Sequence, residues 1–375
     1  MKDFKAGIYI NEGYYKSFHP NKINREWKFD DMEIMNLLSK ADRMLGRLDM
    51  YSYHIPNIDL FIRMHLVKEA TQSARIEGTQ TNMEEAILQE EDVPLDKHDD
   101  WSEVQNYIKA MNSAIDKLEQ IPLSSRLIRD VHKILMQGVR GEKKQPGEFR
   151  RSQNWIGGSN ISDAVFVPPV WDEVSPLMAD IENFIHNPVV QLPDLIKIAI
   201  IHYQFETIHP FNDGNGRVGR LLITLYLVSV KLLKRPVLYL SDYLEKYRNS
   251  YYSSIMKVRN DNDIEGWIKF FLNGVIVTAE KSVSTFDKIL KLEKEYDRII
   301  QQMGSRSANV MRLLSVLYNN PIINASEIAK VLTITPASAY TLISEMEARG
   351  IIAEITGGKR GKRYILKDYF KLFVN

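Results

Sequence analysis

DLIKIAIIHYQFETIHPFNDGNGRVGRLLITLYLVSV, residues 194–230, joins two apolar runs across a polar, glycine-rich segment. Its first part has the length and apolar spacing of a buried helix, and Pro193 just ahead suits a first helical turn. HPFNDGNG is too polar and glycine-rich for a core element and reads as a loop, with a second helix expected from Arg217 to about Leu233. Gly214-Asn215-Gly216-Arg217-Val218-Gly219 also satisfies G-x-G-x-x-G. That fingerprint means dinucleotide binding only after a strand in a βαβ unit. A helix stands in front of it here, so the Rossmann reading is refused.

The same residues make sense as a phosphate cradle between two helices. Gly214 and Gly216 let the backbone approach an anion, and the free N–H groups and positive dipole end of the next helix point into the loop. Arg217 and Arg220, three apart on its first turn, can reach one polyphosphate together. His209 can take a proton near neutral pH, and Asp213 is a hard oxygen ligand suited to Mg²⁺ on phosphates. Within twelve residues the chain thus offers a base, a metal ligand, an anion cradle and two arginines, a set suited to attack of a hydroxyl on a nucleotide phosphate.

His209 to Arg220 matches, at every fixed place, the HPFx[DE]GNGRxxR signature, and the chain therefore resembles the Fic (Fic/Doc) family. Eight singly specified positions coincide by chance on the order of once in 10¹⁰ windows under equal residue usage, far beyond an ordinary motif match. The resemblance extends to the flap QNWIGGSN…VFVPP and to YLEKYRNSYYSSIMKVRNDNDIEGWIKFFLNGV, roughly Asn106 through Val275. It implies a mainly α, Fic-type helical bundle with a small β-hairpin flap, and transfer of AMP from ATP to a Tyr, Thr or Ser hydroxyl of a protein, with pyrophosphate leaving. By that resemblance His209 is the general base, Asp213 the Mg²⁺ ligand, and Gly214, Asn215 and Gly216 the anion hole. Arg217, Val218, Gly219 and Arg220 complete the ATP site, and Phe211 anchors the loop. Trp155, Ile156, Gly157 and Gly158 of the flap would hold the target backbone by strand addition, and Tyr252 would face adenine. Other phosphate-group transfer or removal of AMP at the same site, and a DNA-binding regulator that senses nucleotide, are the rival functions.

Ser73-Ala74-Arg75-Ile76-Glu77-Gly78 ends a helical stretch, with Gly78 a plausible C-cap. Glu77 then sits at the negative end of a helix, against local preference, which hints at a distant partner. The stretch matches [ST]xxxE[GN], the inhibitory motif of Fic proteins with an N-terminal brake. That resemblance implies a Glu77–Arg220 pair that takes the arginine from the ATP γ-phosphate.

The chain has 375 residues, enough for two or three domains. Forty-nine Lys and Arg stand against 48 Asp and Glu, which argues against a chain built throughout for nucleic acid or anionic lipid. No cysteine is present, excluding disulfides, zinc ribbons and thiol catalysis. With no signal-peptide core and no apolar run near 20 residues, a cytoplasmic, membrane-free protein is expected. The expected divisions are a regulatory helical region over 1–100, a catalytic core over 101–275, a solvated linker helix over 276–305 and a winged helix-turn-helix over 306–375. The last carries ten Lys and Arg against five Asp and Glu, so a net charge of +5 is balanced by −4 elsewhere. Four of those bases, Lys359, Arg360, Lys362 and Arg363, cluster at the wing tip, whereas the candidate recognition helix holds Glu345 and Glu347. DNA or protein at the wing, a second copy of the chain, and self-modification are all left open as partners. His202, seven residues before His209, reads as a packing histidine rather than a metal ligand.

Overall fold

The computed structural model describes residues 4–54, 58–139, 142–358 and 361–374. In chain order the elements are β1 (Gly7–Asn11), β2 (Lys16–Pro20), α1 (Met32–His54), α2 (Ile58–Ile76), α3 (Met83–Ala86), α4 (His98–Leu118), α5 (Ser125–Leu135), α6 (Val174–His186), α7 (Asp194–Ile208) and α8 (Asn215–Ser229). They continue with α9 (Ser241–Lys246), α10 (Arg248–Asp261), α11 (Ile264–Gln301), α12 (Ser307–Asn319), β3 (Ile322–Asn324), α13 (Ala325–Leu332), α14 (Pro336–Ala348), β4 (Ala353–Glu354), β5 (Arg363–Ile365) and α15 (Lys367–Val374).

α7 is the axis of the bundle. Every residue from Leu195 to Ile208 is buried, as a helix apolar on nearly all sides must be, and α6, α8 and α11 pack around it. It stops at Ile208 because Pro210 disfavours helical geometry in the residue before it. His209 takes a left-handed φ of 51°, and its N–H still reaches the Phe205 carbonyl at 2.9 Å. α8 begins at Asn215 rather than at Arg217, and ends at Ser229 rather than near Leu233. Gly214, at φ 74°, is its N-cap. A side chain at Gly214 would strike the Met136 sulfur at 2.7 Å as well as strain the backbone.

Several expectations change against the structure. The flap is not a hairpin ladder but a single antiparallel bridge between Ile156 and Phe166, because Gly157 and Gly158 at φ 68° and 77° turn the chain immediately afterwards. An unexpected N-terminal hairpin, β1 against β2 in register Tyr9↔Phe18, lies beside it, and the Phe18 N–H donates to the Val167 carbonyl at 2.9 Å. Residues 276–305 are not a solvated linker: α11 runs unbroken across position 275, packs along α1, and buries Ile289, Tyr296 and Ile300.

The C-terminal unit runs helix, strand, helix, helix, strand, strand, with a three-stranded sheet ordered β3-β5-β4, and adds α15. α12 and α15 pack on α2. Of the four wing-tip bases, Lys359 and Arg360 lie outside the described residues. The other two have acidic partners: Lys362 lies 3.6 Å from Glu354, and Arg363 pairs with Asp92 of the N-terminal region. No helix among the described residues is long and apolar enough to cross a membrane.

Candidate active site

The loop from His209 to Gly214 is held from inside. Asn215 accepts the Phe211 N–H and donates to the Phe211 carbonyl, both at 2.8 Å, so one amide closes the turn. The Phe211 ring is fully buried and stacks on His132 with centroids 3.8 Å apart. His132 accepts the Gly147 N–H at Nδ1, which places its proton on Nε2, and Nε2 donates to the Asp213 carbonyl at 3.0 Å. Burial pushes this imidazole down to about 4, so it stays neutral. Phe211→Ala is expected to cost about 3–5 kcal/mol, read as a lower urea midpoint at unchanged slope; a loss under 1 kcal/mol would show that the ring is no anchor.

Arg150, which the sequence reading passed over, fixes the other side. It is buried, and its guanidinium donates to the carbonyls of His209 (3.0 Å), Pro169 (2.5 Å) and Ser152 (3.2 Å), tying the flap to the loop. Asn154 adds a bond to the Phe211 carbonyl at 2.9 Å. Arg259 donates to Thr207 and to the Glu206 carbonyl, and lies 3.6 Å over the Phe166 ring. Burial and then the two cations Arg259 and Arg150 push His209 down to about 3. The ring is therefore neutral at physiological pH, and its Nδ1 has no hydrogen-bond partner.

Both arginines of the motif point at carboxylates ahead of the loop in sequence, Arg220 at Glu77 and Arg217 at Glu103 of α4. Arg220, 2% exposed, donates from Nη2 to Glu77 Oε1 at 2.7 Å, from Nε to the Ser73 hydroxyl at 2.8 Å and from Nη2 to the Ser73 carbonyl at 3.0 Å. Burial opposes the charge on Glu77, but Arg220 outweighs it and holds the carboxyl below its ordinary range. A Cβ at Gly216 would collide with this carboxylate, so Glu77 lies directly over the first turn of α8. α2 ends at Ile76, just before Glu77, and Gly78 at φ 99° turns the chain away. The turn is then fastened to α4 by Thr79 on Glu103 (2.9 Å) and by the Gln80 N–H on Asp100 (2.8 Å). Arg217 Nη1 lies 3.3 Å from Glu103 without hydrogen-bond geometry, and its buried Nε and Nη1 lack hydrogen-bond partners, donors that an anion in the loop would satisfy. Asp213 is half exposed, receives the Gly214 N–H at 2.6 Å and sits 3.7 Å from Arg217.

Val218 and Gly219 are buried in the first turns of α8. The Gly219 carbonyl bonds His202 Nδ1 at 2.9 Å, while His202 Nε2 meets the Tyr251 hydroxyl, which makes His202 a packing residue. Trp155 is 42% exposed at the flap. Tyr252 on α10 lines, with Ile156 and Gly157 of the flap, an apolar cavity of about 240 Å³ whose inner wall holds Glu206. Burial pushes Glu206 up to about 7, and its Oε1 has no partner. The folded chain thus keeps a proton that the unfolded chain loses near pH 4.5, so this contribution is complete below that pH and is lost as pH rises through about 7. Glu206→Gln should match the wild type in stability at pH 4 and exceed it by roughly 3 kcal/mol at pH 8; an equal difference at both values would place the proton elsewhere.

A helical bundle that presents His-Pro-Phe, a glycine loop and two arginines at a helix N-terminus defines the Fic class of fold and site. The Fic/DOC family N-terminal model matches residues 35–116 and the Fic/DOC family model residues 122–227, together about half of the chain. The chain belongs to the Fic/DOC family. It is 26% identical over 231 residues to the protein adenylyltransferase Fic of Drosophila erecta, covering 60% of this chain and 43% of that protein. To the enzyme of the same name from Aedes aegypti it is 30% identical over 178 residues, covering 47% of this chain and 32% of that protein. The matches thus span less than half the length of these relatives. A solved Fic family protein from Desulfovibrio desulfuricans G20 superposes with a TM-score of 0.60 at 20% identity, covering 92% of this chain and 98% of that one. A Fic domain containing signaling protein from Bacteroides thetaiotaomicron gives 0.52 at 17% identity, covering 68% and 97%.

Proposed function

We propose that the chain is a protein adenylyltransferase held in a braked state, transferring AMP from ATP to a Tyr, Thr or Ser hydroxyl of a protein, with the chain itself among the candidate acceptors. The observation that carries this reading is the Arg220–Glu77 contact at 2.7 Å, an arginine of the phosphate loop occupied by a carboxylate where a nucleotide phosphate would lie.

In the reaction the acceptor oxygen attacks the α-phosphorus of ATP, the bond between that phosphorus and the bridging oxygen to the β-phosphate breaks, and pyrophosphate leaves. His209 takes the hydroxyl proton. Its depressed basicity reflects burial beside Arg259 and Arg150, and the triphosphate of bound ATP would oppose those cations and raise it. The first-turn N–H groups of α8, with Arg217 and Arg220, stabilise the charge that develops on the phosphates, which is most of what such a transfer asks of a protein.

Asp213 is the residue that would hold Mg²⁺. No group of three or more His, Cys, Asp or Glu able to hold a metal occurs among the described residues, and a single half-exposed carboxylate suits a cation that keeps its waters and arrives on phosphate oxygens. Bound there, Mg²⁺ would neutralise phosphate charge. The apolar cavity beside Tyr252 suits an adenine ring, and the flap edge at Trp155 to Gly158 suits an extended target segment.

The 306–375 unit we read as a winged helix that serves docking within the chain. Its α12 and α15 lie on the helix that leads to Glu77, and Arg363 is committed to Asp92. Mass spectrometry of acceptor proteins after incubation with the chain and ATP tests the reaction: an added adenylyl group on a hydroxyl side chain supports it, and an added phosphate alone would contradict it.

A further inference from the structure

The helices α2, α9, α11 and α15 line a second cavity, of about 100 Å³. That is the volume of roughly three water molecules, or of one small oxyanion. Two ammonium groups face each other in it. Lys281 Nζ lies 2.7 Å from Asp242 Oδ2, and Lys68 Nζ lies 3.9 Å from the same oxygen, so two cations share one carboxylate oxygen. Lys68 is only 16% exposed; burial and the neighbouring Lys281 push its ammonium down to about 8, although Asp242 opposes this. The other acid at the cavity, Glu69, has both oxygens engaged, by Tyr107 at 2.9 Å and by Ser241 at 2.6 and 3.0 Å. Two further buried polar atoms in the lining have no partner: the hydroxyl of Tyr239, which is 6% exposed, and Nε2 of His65, which is 8% exposed.

An unbalanced lysine pair and orphaned polar atoms around a small void are what an anion would satisfy. We propose that this cavity is a second ligand site, for a small oxyanion of the phosphate or carboxylate class, held between Lys68 and Lys281 with the Tyr239 hydroxyl donating to it. Its position gives it a regulatory use. His65, Lys68 and Glu69 belong to α2, the helix that carries Ser73 and leads to Glu77, so the ligand grips the same rod nine residues from the carboxylate on Arg220, about 13 Å along the axis. Leu372 and Phe373 of α15 close the cavity, so the ligand also meets the C-terminal unit. The regulatory consequence rests on the braked reading above; the binding site does not.

Titration calorimetry of the intact chain, without ATP, tests the binding. Inorganic phosphate and succinate are titrated into the wild type, into Lys68→Ala/Lys281→Ala, and into Lys281→Ala alone, whose half-exposed side chain can be removed without opening the core. The residues of the phosphate loop are the same in all three. One anion should bind the wild type at a site weakened at least tenfold in both variants, and which anion does so distinguishes phosphate from carboxylate chemistry. Equal stoichiometry and affinity for both anions in the wild type and Lys281→Ala would overturn the site. At saturation that anion should change the wild-type transfer rate at least threefold more than that of Lys281→Ala; equal changes would remove the regulatory role and leave the binding result standing.

Discussion

Glu77→Gly is expected to raise AMP transfer roughly 10- to 100-fold. The Glu77–Arg220 contact is a hydrogen bond between two charges, worth about 1.5–3 kcal/mol, and each 1.4 kcal/mol is a factor of ten. Removing the carboxylate acts twice. It releases the Arg220 Nη2 hydrogen bonded to Glu77 and clears the space above Gly216, where the first N–H groups of α8 are available for phosphate. Ser73 keeps its bonds to Arg220 in that variant, so the guanidinium stays positioned at the loop. ATP affinity measured on both proteins checks the same claim: the variant should bind more tightly, and unchanged affinity with unchanged transfer would remove Glu77 from the mechanism.

His209→Ala in the Glu77→Gly background should lower transfer by about 10²–10⁴-fold, the range for loss of a positioned general base. Nucleotide binding should change little, because the phosphate-facing groups are the α8 turn, Arg217 and Arg220. An equal fall in ATP affinity would instead mark His209 as a binding residue. The bond from Arg150 goes to the His209 carbonyl rather than its ring, so the substitution keeps that tie, although alanine is less tolerant than histidine of the left-handed φ of 51°.

The loop was legible because its chemistry is local: base, glycines and arginines lie within twelve residues, and helix geometry brings Arg217 and Arg220 to one turn. Glu77 was reachable only through a short pattern, for it meets Arg220 across 143 positions. Glu103, His132, Arg150, Arg259 and Glu206 were missed, because nothing in their spacing announces that they gather around the loop and the helix ends that flank it. The N-terminal hairpin escaped for a different reason: Ile8, Tyr9 and Ile10 are all exposed, so β1 lacks the alternation by which a strand is recognised. The charged run of α11 suggested solvent, yet Ile289, Tyr296 and Ile300 recur at helical spacing and form a buried stripe. The α8 boundary moved because Gly214, not a side-chain cap, begins the helix, and Asn215 is spent on Phe211 instead.

The most direct measurement compares ATP labelled at the α-phosphate with ATP labelled at the γ-phosphate, using the wild type, Glu77→Gly, and Glu77→Gly combined with His209→Ala. The account predicts protein label from the α position only, weak in the wild type, strong in Glu77→Gly and lost when His209 is removed. Label from the γ position, or α-label of equal strength in the wild type and Glu77→Gly, would contradict it.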